Sequence, residues 1–237
     1  MSRARSGDPG TWFDVEALRG AGHRVAVQRR VARPAVVLGS TQDEAVVDRW
    51  RAAQAGYAVT RRRTGGGAVL VAPGEQLWLD VWLPRGDPLF DDDVARAASW
   101  VGRWWAGALR GAGLAPADGL AVHEGPPVRA EWSSLVCFAG LGPGEVRAGG
   151  AKVVGVAQWR GREGALFHTA AYRRWDPGAL VDLLDAPDGQ RAAMRASLAA
   201  AAVGLDEMAG RAVALPALTA ALTEALPDGP LWEVTLA

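Results

Sequence analysis

The sequence predicts a mixed α/β domain of the α+β class over residues 1–237, with its helices gathered toward the carboxyl end. Three observations carry that expectation. Leu77, Leu79, Val81 and Leu83 alternate with Trp78, Asp80 and Trp82, the period of a half-buried strand. Asp91 to Asp93 open a run through Arg110 in which Trp100 and Trp104, and Val101 and Trp105, recur one helical turn apart. From Pro177 onward the chain is alanine-rich and reads as mostly helical. At 237 residues it is long enough to bury a substantial core.

Taken in order, residues 1–10 are polar, lack the apolar segment of a signal peptide and are expected to be disordered. Residues 12–22 suit a short helix. Val25 to Gln28 and Val36 to Leu38 are short apolar runs bounded by Arg, Pro and Gly, hence strands. Thr41 is the expected N-cap of a helix through Gln54, with Asp43 and Glu44 in its first turn and Gly56 ending it. A strand at 57–62, a loop from Arg63 to Gly67 and a strand at 68–72 follow. Gly111 is expected to close the long helix. Val136 to Phe138, Glu145 to Arg147, Lys152 to Trp159 and Ala165 to Ala171 read as a strand meander joined by glycines. Leu231 to Leu236 returns as a last strand.

Composition narrows the function classes. Formal net charge is zero, so nothing global points to nucleic acid or an anionic membrane. No run of 18 apolar residues exists, and the single cysteine allows no internal disulfide, so a soluble cytoplasmic protein is expected. His23, His123 and His168 are scattered and form no metal-ligand spacing.

The chemistry concentrates in three stretches. Lys152, between Gly149-Gly150 and a valine run, is the only lysine among 26 basic residues. Arginine has replaced lysine everywhere else, which a solvated charge tolerates. A site needing a compact ammonium does not, because the guanidinium is a planar fork. Arg61-Arg62-Arg63-Thr64-Gly65-Gly66-Gly67 places three glycines between two strands, where backbone N–H groups can converge on an anion or carbonyl. A tight hairpin is the plainer account of the same glycines. On the strand after Gly150, alternation puts Lys152, Val154, Val156 and Gln158 on one face and the small Gly155 and Ala157 on the other. Cys137 sits between Val136 and Phe138, a setting in which cysteines are commonly inert core residues; as a nucleophile it would need a cation or helix N-terminus nearby.

Together these stretches resemble the lipoate–protein ligase and octanoyltransferase family of the biotin/lipoate protein ligase superfamily. The resemblance lies in Arg61-Arg62-Arg63-Thr64-Gly65-Gly66-Gly67-Ala68-Val69, then Lys152-Val153-Val154-Gly155-Val156-Ala157, with Val37-Leu38-Gly39 and Gln42 as the early strand-to-helix joint and His168 after the meander. It covers roughly residues 25–185. It implies a mixed central sheet with flanking helices that binds lipoate or octanoate in a tunnel. Arg61, Arg62, Thr64, Gly65 to Gly67, Gly155, Ala157 and His168 would line the substrate site, and Lys152 would hold the acyl oxygen while a lipoyl carrier domain's lysine attacks.

The resemblance leaves two enzymes open. An ATP- and Mg-dependent ligase needs no cysteine; an octanoyltransferase would use Cys137 as nucleophile, take its acyl group from acyl-carrier protein and need no cofactor. Val71-Ala72 stands where many ligases carry His-Asp, and the accessory domain of longer ligases is not expected. Cys137-Phe138, fifteen residues before Lys152, resembles the Cys-Phe of the cysteine-dependent transferases. A cysteine in an apolar run is weak evidence alone, so attachment of lipoyl or octanoyl groups under the ligase name leads. A non-catalytic acyl-binding or assembly subunit is the third reading, and a biotin-ligase relative fits the motif order less well.

Overall fold

A computed structural model describes residues 16–235. The expectation for residues 1–10 lies outside the described residues. The chain opens with a one-turn helix α1 (Glu16–Arg19), then β1 (Arg24–Gln28) and β2 (Ala35–Leu38). The helix expected from Thr41 to Gln54 is broken. Asp43 caps a 3-10 turn over Glu44–Val46, and Asp48 caps α2 (Arg49–Gln54) by accepting from the Arg51 N–H. Between them Val47 is buried and bridges Leu184, and the Asp48 N–H donates to the Leu183 carbonyl. That tertiary contact takes the residues a continuous helix would need. Gly56, at φ +78°, ends α2 as expected.

β3 (Ala58–Arg61) and β4 (Val69–Val71) follow, then β5 (Gln76–Pro84). β5 is buried on both faces, not one. The helix run divides into α3 (Val94–Ala97), capped by Asp93, and α4 (Ser99–Gly111), and the left-handed glycine that closes it is Gly113 rather than Gly111. β6 (Leu120–Val122), β7 (Val146–Ala148), β8 (Ala151–Arg160) and β9 (Gly164–Tyr172) form the meander. Val136 to Phe138 is not one of its strands. Val136 makes a single parallel bridge to Ala68, after which Cys137–Ala139 turn as a 3-10 helix. The chain ends in α5 (Gly178–Leu183), α6 (Asp188–Ala201), α7 (Leu205–Ala209), α8 (Leu215–Glu224) and β10 (Trp232–Thr235).

The strands form two sheets. The larger has the order β10-β1-β5-β9-β8-β7-β6, antiparallel except for β1 with β10. The smaller has the order β3-β2-β4, with β3 parallel and β4 antiparallel to β2. β3 and β4 are therefore separated by β2, and the glycine loop between them is a crossing over the end of β2, not a hairpin. Helices α4 and α8 bury Leu77, Leu79, Val81 and Leu83 on one face of the large sheet. The small sheet packs on the other face, where Ala35, Val37, Val69 and Val71 meet Trp78, Phe138, Ala170 and Tyr172. Helices α5 and α6 close the far side of the small sheet over Val36 and Leu38. The small sheet therefore covers Trp78 on this face of β5, while Trp82 on the same face is buried with Leu18, Val25 and Leu166 and donates to the Ala21 carbonyl. Among the described residues no helix is long and apolar enough to cross a membrane.

Candidate active site

The glycine loop and the Cys137 turn are joined through backbone. The Ala68 N–H donates to the Leu135 carbonyl at 2.7 Å, and the Cys137 N–H donates to the Ala68 carbonyl at 3.0 Å. This close approach needs glycine at position 67: a Cβ there would lie 2.5 Å from the Val136 carbonyl carbon and 2.7 Å from the Cys137 nitrogen. Gly66 takes φ +97°, and a Cβ on it would stand 3.5 Å from the Cys137 Sγ. The loop is anchored from beneath by Arg62, whose side chain is buried. Its Nη2 donates to the Gly65 and Gly67 carbonyls at 2.7 and 2.8 Å, Nη1 to the Val37 carbonyl, and Nε to the Thr64 hydroxyl. Burial pushes the Arg62 guanidinium below its ordinary value, opposed by the negative charge that Cys137, Tyr172 and Glu145 can carry.

Lys152 is 2% exposed and reaches the same place from β8. Its Nζ donates to the Cys137 carbonyl at 2.7 Å, pairs with the Glu145 Oε2 at 2.7 Å and lies over the Phe138 ring, 5.1 Å from its centre. The face that simple alternation assigns to Lys152 is corrected by a bulge. Val146 pairs with Val154 and Arg147 with Lys152, so β8 carries one extra residue at Val153. Val153 and Val154 both enter the core beneath α4. Lys152 therefore shares the Phe138 side with Gly155, where a Cβ would come within 3.1 Å of the Phe138 ring. Gln158 stays opposite, its amide donating to the Val94 carbonyl.

Two cavities meet at Cys137. The larger, about 970 Å³, is lined by Gly65 to Gly67, Cys137, Arg129, Glu145 and Lys152. The smaller slot, about 20 Å³, runs between the sheets past Cys137, Arg62, Phe138, Ala157 and His168 to Trp78. Val156 and Ala157 line both. His168 is buried, with Nδ1 2.6 Å from the Asp80 Oδ1. Asp80 also accepts from Arg29 Nε and Trp78 Nε1. Burial alone would raise the Asp80 carboxyl, but the charges of His168 and Arg29, with their hydrogen bonds, hold it below the ordinary value.

The structure thus brings together Cys137, Lys152, Arg62, Gly65 to Gly67, Gly155, Ala157 and His168. Thr64 is fully buried under the loop and lines neither cavity. Arg61 lines neither as well; it donates to the carbonyls of Gly39, Ser40 and Gln42 and fixes the end of β2. Glu145 was not singled out from the sequence. The available signal is that it is the one acidic residue between Glu131 and Glu163, the stretch that holds both Cys137 and Lys152.

The same arrangement of two stacked sheets occurs in solved lipoate–protein ligases. The bipartite ligase of Thermoplasma acidophilum, studied with its E2 lipoyl domain, matches at 20% identity and a TM-score of 0.69 over 92% of this chain and 79% of its own. Lipoate-protein ligase A bound with ATP matches at 22% and 0.62 over 85% and 70%. These likenesses define the fold as that of a lipoate–protein ligase catalytic domain. Residues 25–227 match the lipoyl protein ligase A/B catalytic domain, and the chain belongs to that family. Among individual relatives, the octanoyltransferase LipM of Kyrpidia tusciae is 30% identical over 174 residues, 73% of this chain. The chain spans 63% of that relative's length.

Proposed function

We propose that the protein transfers an octanoyl or lipoyl group to the acceptor lysine of a lipoyl carrier domain through a thioester on Cys137, with acyl-carrier protein as donor. The observation that carries this reading is the position of the Cys137 Sγ, where both cavities and the Gly66 turn converge. The Cys137 thiolate attacks the donor's thioester carbonyl and the carrier thiol leaves with a proton. The acceptor lysine's amine then attacks the Cys137 thioester, an amide forms, and the cysteine thiol is restored. Lys152 supplies an ammonium beside the reacting carbonyl, where preorganised charge is worth most. Arg62 holds the loop, and the larger cavity has the volume for the acyl chain, with Ala157 on its wall and His168 in the narrow slot beyond.

The ligase form would also require Mg–ATP, and two features of this chain favour the thioester form over it. The donors of Arg61 and Arg62 go to backbone carbonyls and the Thr64 hydroxyl, and Arg61 also pairs with Glu44. Val71, in the position of the ligases' histidine, is core between the sheets.

The test assays wild type and Cys137→Ser with octanoyl-carrier protein, and separately with octanoate plus Mg–ATP, each with an apo lipoyl domain. The expected result is an octanoyl adduct on wild type without ATP, and loss of thioester-driven transfer in Cys137→Ser. Full thioester-driven activity in Cys137→Ser sinks the transferase reading; activity of both proteins only with Mg–ATP establishes the ligase. Octanoate binding with no turnover from either donor leaves the non-catalytic subunit.

A further inference from the structure

The carboxylate of Glu145 holds three groups of the site directly and a fourth through Lys152. It is 3% exposed and sits just before β7. Oε2 accepts the Gly142 N–H at 2.6 Å and pairs with Lys152 Nζ at 2.7 Å. Oε1 accepts the Val156 N–H at 3.2 Å. The Lys152 ammonium in turn donates to the carbonyl of Cys137. A buried carboxylate is tolerated only when charge and hydrogen bonds replace water, and here one cation and two amides do so.

The backbone around Glu145 is fixed independently. The His123 N–H donates to the Glu145 carbonyl, and the Gly144 N–H to the His123 carbonyl. Gly144 takes φ +81° and lies so close to α4 that a Cβ would come within 2.3 Å of the Ala98 carbonyl. Glu145 is therefore held from its own chain, and Lys152 is held from Glu145.

We infer that Glu145 is a positioning residue for acyl transfer: it pins the Lys152 side chain against the carbonyl of the residue that carries the nucleophile. This rests on the Cys137 reading for its chemistry, not for its geometry. Of the three N–H donors of Lys152, one meets Glu145 and one meets Cys137. The third is left for an acyl oxygen in the cavity that Lys152 and Cys137 both line. Without the carboxylate the flexible lysine stem has one anchor in place of two, and the ammonium loses its counter-charge.

Because Lys152 is the only lysine, lysine labelled with ¹⁵N at Nζ reports on this one site. Wild type is expected to show a single protected side-chain ammonium correlation. In Glu145→Gln, which keeps shape and removes charge, that correlation should vanish into exchange with water. The kcat for octanoyl transfer should fall roughly 10²-fold, the scale of losing one oriented donor, with KM for the carrier domain within about 2-fold. Glu145→Asp, keeping the charge on a shorter stem, should recover the correlation and part of the kcat.

Wild type without a protected correlation overturns the inference by itself, even if Glu145→Gln fails to fold. So does a folded Glu145→Gln with wild-type correlation and kcat, or one whose KM and kcat worsen together with no rescue by Asp. A mass measurement on wild type given octanoyl-carrier protein separates the two levels. No adduct on Cys137 ends the thioester reading, while the lysine spectra of unreacted wild type and Glu145→Gln still decide what holds Lys152.

Discussion

The three loop glycines have different surroundings, so replacing each with alanine should have three different outcomes. At Gly65 an added Cβ meets nothing within 4 Å, and the residue is not at positive φ. Gly65→Ala should leave the fold intact and gain up to about 1 kcal/mol by restricting the unfolded chain. At Gly66 the backbone at φ +97° penalises any Cβ, costing about 1–3 kcal/mol. The new methyl would also stand 3.0 Å from Arg62 Nη2. Gly67→Ala is the most damaging. Three backbone atoms of Val136 and Cys137 lie 2.5–2.7 Å from the new Cβ, and none belongs to a side chain that can swing away. Overpacking costs about 1–3 kcal/mol, and rigid neighbours place this case at the upper end. The displaced group is the Cys137 peptide itself, and a shift of about 1 Å in a reacting group can cost roughly 10²-fold in rate. Urea unfolding gives the stability of each variant, and octanoyl transfer to an apo lipoyl domain gives the rate. Gly67→Ala with the midpoint and rate of Gly65→Ala would show that the loop does not set the position of Cys137.

Two further perturbations follow from the buried charges. Lys152→Arg should fold, lose about 1–3 kcal/mol through overpacking beside Phe138, and transfer octanoyl roughly 10²- to 10³-fold more slowly; a folded variant with wild-type turnover removes Lys152 from the site. Asp80 has a folded-state value below its unfolded one. Its stabilisation is therefore complete above the unfolded carboxylate range, about 3.9, and is lost as pH falls below that toward the folded value. Asp80→Asn should cost about 3–5 kcal/mol at neutral pH, toward the lower end because Arg29 is 17% exposed. It should also flatten the acid limb of stability below about pH 4, and an acid limb identical to wild type would contradict this.

Local chemistry made much of this protein readable from sequence. Strands with apolar runs, the Gly56 stop and the terminal strand at Trp232–Thr235 depend on short-range signals, and they fall where those signals point. The failures are tertiary. Nothing local in the residues from Thr41 to Gln54 reveals that Val47 is needed to bridge Leu184, far along the chain. The alternation in β5 records which side chains share a face, but not that the small sheet and the segment around Leu18 cover the one carrying Trp78 and Trp82. Val136 has strand character and uses it in one bridge to Ala68 before the backbone turns. β6 was missed because its three residues carry too little apolar pattern to separate from a loop. Within the site, Lys152, Cys137 and the glycine loop stood out because of residue types that are rare or conformationally special. Glu145 did not, since a carboxylate becomes informative only once it is known to be buried beside an ammonium.

The geometry accounts for the survival of a single lysine in an arginine-rich chain. Arginines elsewhere meet a carboxylate with two parallel donors, as Arg24 does Asp87, or several carbonyls in a fan, as Arg61 and Arg62 do, and a planar fork with five donors suits those places well. At Lys152 the acceptors are a single carbonyl and a single carboxylate oxygen, each 2.7 Å from one nitrogen, with an aromatic face below. Their arrangement converges on a point. A guanidinium placed there could satisfy Glu145 with two parallel donors only by rotating its plane away from the Cys137 carbonyl, and its extra width would press on Phe138. The β8 bulge makes the same demand from the other direction. By sending Val153 and Val154 together into the helix-side core, it commits the preceding side chain to the narrow space between the two sheets. Residue 152 is thus fixed by the core beneath it and by the two acceptors ahead of it, and the ammonium satisfies both.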